Sequence, residues 1–473
     1  MMKAGYLPLL IAMTLNSVDA QKVTIFFDTA LSTTPSVSKA ALRYDKDFAY
    51  SFTLDDGTAD AFTHALPLLQ GGVIKDLENT FSPLYYTDGC GNDIVFKAGI
   101  AWNSANSQGV DTHTGDIKGY LTWGQLDTLY NYGWDVFNHS YSHKSQWVAP
   151  MTTTDYVNEI LRNQLAVREK TTQNLNMPVF VVPSGDAVYQ DIALQLGNKA
   201  VFDQSGNVSG MGGLQVDDNL NLNGLKIHRQ NIVESLSWMN QLEKVVEKSR
   251  NGGHFWYNEF AHRVNLFEFS SFNFFSFKNQ MDKLANSWGK AGTDRVWMAP
   301  LQEVFEYLVL RQTAQYKISI SNQKMDIQFD LSQVPAWLRR KTLTLKVNST
   351  NTFNRVDVST GIKKTFRGTG NAKIINLDFT EYYKLTGTRE PTDTPEWRVY
   401  PNPTHDFINI EFLQQDVITS VDFTISDASG KMYILSHFSG HTFQQDIRSL
   451  PSGIYFLNIK FNNKSTATKF IKI

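Results

Sequence analysis

Two different hydrophobic patterns divide this chain of 473 residues. Between residues 48 and 312, short apolar runs alternate with stretches whose apolar residues recur at helical spacing. Beyond Tyr316, apolar and polar residues alternate one by one, which is typical of half-buried antiparallel strands. The change of pattern predicts a domain boundary near residue 312.

The first pattern predicts strands and helices in alternation. The predicted strands are 50–54, 134–138, 179–182 and 254–261, and the predicted helices lie around 157–165 and 232–249. Such alternation indicates an α/β fold, here a barrel-like domain whose active site belongs at the carboxyl ends of the strands.

The rest of the chain is assigned from composition and pattern. Residues 21–45 are interpreted as an N-terminal extension, followed by the barrel domain at 46–312 and a small β-sandwich at 313–386. Residues 387–396 carry two prolines and few apolar side chains, as a linker does. A C-terminal β-module is expected at 397–473, because its strand-like runs are separated by turn signals.

Residues 1–20 are interpreted as a signal peptide. Lys3 precedes an apolar run at 4–15, and small residues before Gln21 provide a cleavage site. No later stretch reaches the roughly 18 apolar residues that span a bilayer. We therefore expect an exported, soluble protein that begins near Gln21 and has no transmembrane segment.

Composition and charge exclude several partners. The formal net charge of −2 provides no basic field for nucleic acid or for an anionic membrane surface. The apolar share of 42% is ample for the cores of two or three domains. Cys90 is the single cysteine, so no intrachain disulfide forms, and we interpret it as a structural loop residue rather than a reactive thiol.

An acidic pair ends the first predicted strand. Asp55 and Asp56 would point to opposite faces of an extended strand, but Gly57 allows a turn in which both carboxylates enter one pocket. One carboxylate would then ligate a cation, and the other would remain ionised as a base. Taken alone, such a triplet is more often a solvated loop.

A spaced pair of histidines follows the strand at 134–138. His139 and His143 lie four residues apart, which places both imidazoles on one side of a helical turn. The alternative is a capped helix start with two surface histidines. Together with an aspartate from another strand end, the pair would complete a three-ligand site of the kind that holds catalytic zinc.

These residues resemble the motifs of the NodB-homology polysaccharide deacetylases, a metal-dependent esterase family on a distorted (β/α) barrel. The family's T-F-D-D-G is matched by residues 53–57, and its H-[S/T]-x-x-H by 139–143. The resemblance implies Asp55 as the catalytic base. It also implies a divalent metal, with zinc as the first expectation, held by Asp56, His139 and His143.

The later motifs of the family are matched less well. Val181 stands where the third motif, R-P-P-Y-G, has its arginine, so the residue that would hold Asp55 is missing. A backbone N–H near Ser184 can still bind an oxyanion. The fourth motif has no match. For the fifth, L-x-H, the resemblance implies His262 as the general acid, with His254 as the competing choice.

The C-terminal module carries a second resemblance. Residues 399–403, 426–431 and 450–455 are similar to type IX secretion sorting domains of Bacteroidota. This implies an export address, a secreted or cell-surface location, and the export machinery as a partner. The alternative is a β-sandwich that binds carbohydrate.

The leading hypothesis is a hydrolase that removes acetyl groups from a polysaccharide or oligosaccharide. The second is a catalytically weak or inactive surface glycan-binding protein on the same fold, which the missing arginine and the appended β-domains favour. A phosphoesterase is a weaker third, because no basic cluster accompanies the motifs. The sequence does not distinguish N-acetyl from O-acetyl substrates.

Several aromatic residues are candidates for a sugar-binding groove or for ordinary core packing. They are Trp102, Trp123, Trp147, Trp256 and Tyr257.

Overall fold

The structure is a computed structural model that describes residues 21–204, 213–232, 236–250, 252–266, 272–385, 397–412, 421–427, 431–438, 442–461 and 464–473. The predicted signal peptide at 1–20 and the predicted linker at 387–396 lie outside these residues.

Seven parallel strands form a nearly closed barrel within the described residues. The sheet closes because Gln230–Asn231, directly after the sixth strand, pairs in parallel with the seventh. The predicted α/β, barrel-like fold is confirmed at this level. In chain order the barrel strands are Phe48–Leu54, Gly99–Trp102, Asp135–Asn138, Val179–Val181, Ala200–Asp203, Leu225–His228 and Phe255–Ala261.

Helices cover the outside of the barrel. The first barrel strand is buried at every position because the barrel interior covers one of its faces and helices the other. Two helix starts, at Thr122 and Thr152, form capping boxes with Gln125 and Asp155. The helices are Leu66–Gln70, Trp123–Asn131, Thr153–Lys170, Val188–Gln195, Leu236–Arg250, Phe274–Trp288 and Leu301–Thr313.

Short strands extend the barrel sheet or form hairpins beside it. Val296–Met298 pairs with the start of the first barrel strand, whereas the second barrel strand pairs with its end. Leu214–Gln215 pairs antiparallel with the seventh. The hairpins are Gly72–Ile74 with Asn79–Phe81 and Tyr85–Thr87 with Asp93–Val95.

Two four-stranded sheets follow the barrel in the chain. Segment 21–45 contributes a strand to each, so it pairs with strands about 300 residues away in sequence rather than standing apart. One sheet contains Gln315–Ser321, Lys324–Asp330, Gln21–Phe27 and Phe353–Val358. The other contains Ser36–Lys39, Thr342–Asn348, Lys373–Asp378 and Lys363–Arg367, and helix Thr380–Leu385 follows.

The C-terminal residues form two further antiparallel sheets with a separate apolar core. Their strands are Trp397–Tyr400, Phe407–Phe412 and Thr442–Asp446 in one sheet, and Met432–Phe438, Val421–Asp427, Gly453–Phe461 and Lys464–Lys472 in the other. Among the described residues, no helix has the length and apolar character needed to cross a membrane.

Cys90 lies in a loop that hydrogen bonds fasten to the second of the β-sheets. Asp88 accepts hydrogen bonds from the backbone N–H of Cys90, at 2.8 Å, and from the Thr365 hydroxyl, at 2.8 Å. Burial raises the pKa of the Cys90 thiol to about 11. The thiol therefore stays protonated at neutral pH, as a structural residue does.

A buried network of charges joins the base of the barrel to the segment between the β-sheets. Arg340 donates two hydrogen bonds to Asp135, at 2.8 and 2.9 Å, and Arg339 donates a third at 2.8 Å. The backbone N–H groups of Arg339 and Arg340 both donate to Glu306. Burial would raise the pKa of the nearby Glu303, but the surrounding cations outweigh it and lower that pKa to about 2.

Asp135→Asn is expected to lower the free energy of unfolding by roughly 3–5 kcal/mol, because it removes one partner of a buried ion pair. The measurement is the midpoint of chemical denaturation. The matched control is Asp357→Asn, which breaks an exposed pair with Arg355 and should leave the midpoint unchanged. Equal shifts in the two variants would contradict the role given to the network.

Candidate active site

The acidic pair lies at the carboxyl end of the first barrel strand. The backbone N–H of Asp55 donates to the carbonyl of Ala261, which joins the ends of the first and seventh strands at 2.9 Å. Asp56 and Gly57 then take positive φ angles of 68° and 60°. The side chain of Asp55 is buried, whereas that of Asp56 is one-third exposed.

Only glycine fits the turn after the acidic pair. A Cβ at Gly57 would lie 3.0 Å from the Trp102 ring and 3.1 Å from the His113 ring. These two rings stack with centroids 3.8 Å apart, and the His113 nitrogens lie 2.6 Å from the carbonyl oxygens of Leu121 and Asn103. His113 therefore packs against the turn and is itself held by these contacts.

The structure brings Asp56, His139 and His143 together. One ligand atom from each lies within 4.8 Å of the others, and both Nε2 atoms are 3.6 Å from Asp56 Oδ1. Within the described residues, His139 Nε2 and Asp56 Oδ1 are buried without a hydrogen-bond partner. Buried polar atoms are nearly always paired, so these fit ligands of a cation.

His139 is held in the state that a metal ligand requires. Its Nδ1 donates a hydrogen bond to the carbonyl of Val181 at 2.8 Å, which leaves the lone pair on Nε2 facing Asp56. Burial lowers the pKa of His139 to about 4. The imidazole is therefore neutral at pH 7. Val181 lacks the family's arginine side chain, but its backbone orients a proposed ligand.

The two imidazoles meet through a tight turn, so the prediction of a helical turn at 139–143 is wrong. Ser140 and His143 both take positive φ, at 66° and 56°. Glu159 accepts hydrogen bonds from the backbone N–H and hydroxyl of Ser142, both at 2.7 Å, and Asn138 accepts one from the Ser140 backbone. Side-chain hydrogen bonds, rather than helical periodicity, thus shape the segment.

Arg229 is the partner of Asp55, in place of the arginine that is missing from the third motif. Its guanidinium donates two hydrogen bonds to Asp55, each at 2.9 Å, and both side chains are buried. Burial would raise the pKa of Asp55, but the charge and hydrogen bonds of Arg229 outweigh it and lower that pKa. Arg229 comes directly after the sixth strand. A charged residue at a strand end is the only feature of the sequence that could have indicated its place in the site.

The remaining predicted residues lie at different ends of the barrel. His262 directly follows the seventh strand, is exposed, and stands beside the Asp55 end of the first strand. His254 precedes the same seven-residue strand, so roughly 25 Å separates the two histidines. Ser184 lies in the turn Pro183–Gly185 that follows the fourth strand, with φ 54°.

Comparison with known proteins identifies two parts of the chain. Residues 95–204 match the family described as "Polysaccharide deacetylase". This part of the chain thus resembles a polysaccharide deacetylase domain. Residues 398–473 match the family described as "Secretion system C-terminal sorting domain", so both predicted resemblances are confirmed. The sorting domain indicates secretion or attachment at the cell surface.

The deacetylase match includes His139 and His143 but neither Asp55 nor Arg229. Among solved structures, the Streptococcus pyogenes deacetylase PplD in complex with acetate is 17% identical, with a TM-score of 0.28, over 41% of this chain and 68% of that chain. No curated protein gives a significant match.

The metal-free protein is expected to lose stability as the pH falls from about 6.5 to about 4. In this window the unfolded state protonates His139, whose ordinary pKa is about 6.5, while the folded state does not. Over this pH range, the free energy of unfolding should fall by about 3 kcal/mol less in His139→Asn than in the wild type. Denaturation midpoints at several pH values, in the presence of a chelator, measure it. An unchanged pH dependence in the variant would contradict the burial of a neutral His139.

Proposed function

We propose that this protein is a metal-dependent hydrolase that removes acetyl groups from a polysaccharide or oligosaccharide. The proposal rests on one observation, which is that three possible metal ligands and a buried carboxylate lie side by side at one end of the barrel. Asp56, His139 and His143 converge there, the buried ligand atoms of Asp56 and His139 have no hydrogen-bond partner, and a buried, ion-paired Asp55 lies next to them. A base beside three metal ligands with open positions is the requirement of a metal-assisted hydrolase.

We assign Asp56, His139 and His143 as ligands of a divalent cation, with zinc as the first candidate. Bound there, the cation would polarise the acetyl carbonyl and lower the pKa of a water molecule. Two neutral imidazoles and one carboxylate are a donor set that suits zinc.

Asp55 is the proposed general base. Its carboxylate lies 4.0 Å from His139 Nε2, close enough to the ligand cluster to accept a proton from a water that attacks there. Arg229 lowers its pKa, so it remains ionised at neutral pH although it is buried. Arg229 is a positioning residue, because its two hydrogen bonds fix both oxygens of the carboxylate.

His262 and Ser184 are assigned to the leaving group and to the oxyanion. His262 is exposed at the carboxyl end of the seventh strand, where its imidazole can donate a proton to a departing amine or alcohol. The backbone N–H of Ser184 is the proposed oxyanion donor, since its turn follows the fourth strand at the same barrel end.

The glycan-binding alternative rested on a missing arginine and on the β-domains that follow the barrel. Because Arg229 holds Asp55 with bidentate geometry, the first of these two reasons no longer applies. We therefore favour turnover over binding alone. We further propose that residues 1–20 direct the export that the sorting domain completes.

Asp55→Asn and removal of the metal should each abolish acetate release. The assay measures acetate from chitin-like, peptidoglycan-like and xylan-like acetylated substrates, with and without a chelator. Loss of the general base is expected to cost about 10²–10⁴-fold in rate. Asp357→Asn, at a surface pair outside the barrel, is the control and should retain full activity. Release that survives both chelation and Asp55→Asn would overturn the proposal.

Arg229→Gln should move the acid limb of the pH–rate profile to higher pH. The Arg229 charge lowers the pKa of Asp55, so without it Asp55 becomes protonated, and inactive as a base, at a higher pH. Arg229→Lys retains the charge and loses the bidentate geometry, so it should lower kcat with less movement of the limb. If kcat falls in both variants while the acid limb of the pH–rate profile stays at the same pH, Arg229 has only a structural role.

A further inference from the structure

The five aromatic residues that are candidates for a sugar-binding groove differ in their exposure to solvent. Trp102, Trp256 and Tyr257 are fully buried in the core, and Trp123 is partly buried with its indole N–H donated to Asp111 at 3.1 Å. Trp147 differs, because 68% of it is exposed. Its neighbour Val148 is 82% exposed. Adjacent large apolar side chains in water are typical of a binding surface.

The loop that carries Trp147 is fastened to the barrel. Asp186, which is fully buried, accepts hydrogen bonds from the backbone and side chain of Gln146 at 2.9 and 2.8 Å, and from the Tyr156 hydroxyl at 2.7 Å. The Tyr189 hydroxyl donates to the carbonyl of Lys144 at 2.7 Å. The indole is therefore presented from a fixed position, which lowers the entropy cost of binding a ligand.

Trp147 lies close to the proposed catalytic groups. It follows His143 by four residues, so their Cα atoms are at most about 14 Å apart. Asp186, which anchors its loop, directly follows the turn that carries Ser184. A short oligosaccharide with one sugar at the ligand cluster spans this distance. The exposed indole is thus within reach of an oligosaccharide bound at the proposed active site.

A sugar ring is the occupant that this chemistry favours. One face of a pyranose presents C–H groups, which pack against the electron-rich face of an aromatic ring. The indole N–H can also bond to a hydroxyl.

We propose that Trp147 stacks on a sugar of the substrate chain next to the one that is deacetylated, so that the enzyme prefers oligomers to single acetylated sugars. This proposal rests on the proposed function and adds a specificity-determining residue to it.

The test compares substrates of different length. Trp147→Ala should lower kcat/KM on acetylated chitin- and xylan-type hexamers about tenfold, mainly through KM, and leave 4-nitrophenyl acetate hydrolysis unchanged. Trp147→Phe should restore part of the loss. The control is Tyr132→Ala, which removes an aromatic side chain that is 55% exposed and precedes the third barrel strand, at the opposite barrel end.

Equal losses on the hexamers and on 4-nitrophenyl acetate would overturn the proposal, because the loop would then support the site rather than bind substrate. Loss of a dimer in Trp147→Ala, measured by light scattering, would also overturn it in favour of a contact between copies of this chain.

A binding measurement keeps the two proposals distinguishable. If the wild type releases no acetate, the proposed function fails. Titration calorimetry with the same acetylated hexamers then tests Trp147 alone. A tenfold weaker Kd in Trp147→Ala supports the stacking, and equal affinities, or no binding by the wild type, refute it.

Discussion

The bidentate ion pair between Arg229 and Asp55 is the interaction on which the rest of the site depends. It joins the end of the first barrel strand to the residue that follows the sixth, close to where the sheet closes. A buried carboxylate without its partner would be strongly destabilising, so this pair constrains how the strand ends meet. The backbone hydrogen bond from Asp55 to Ala261 adds the seventh strand. The proposed base and the ligand cluster are then held against each other.

Several residues near this pair have a strained backbone. Asp56, Ser140 and His143 all take positive φ angles, which side chains rarely adopt, and each belongs to the ligand cluster or to the turn that shapes it. The surrounding structure compensates through buried hydrogen bonds, such as those from Ser142 to Glu159 and from His139 to Val181. Such contacts orient ligands before a cation arrives. They explain how the barrel can present a carboxylate and two imidazoles without a helix.

The two ends of the barrel have different tasks. At the carboxyl ends of the strands lie the proposed ligands, base and acid, together with the exposed Trp147. At the other end, Arg339 and Arg340 bind Asp135 and Glu306, and this network couples the barrel to the β-sheets that contain the N-terminal strand. One apolar core continues through both parts, so barrel and sheets support each other. Barrel folds generally have their catalytic residues at the carboxyl ends of the strands, whereas the other end contributes to stability.

The sequence by itself determined what depends on neighbouring residues: the alternation of strands and helices, the acidic pair with its glycine turn, the spacing of His139 and His143, and the sorting domain. Tertiary structure alone decided which distant groups meet. Arg229 lies 174 residues from Asp55, and the carbonyl of Val181 that orients His139 carries no side-chain signal. The same holds for the N-terminal strand, whose partners lie about 300 residues away. Periodicity and motifs describe local geometry, whereas these contacts arise when the barrel closes and the sheets pair.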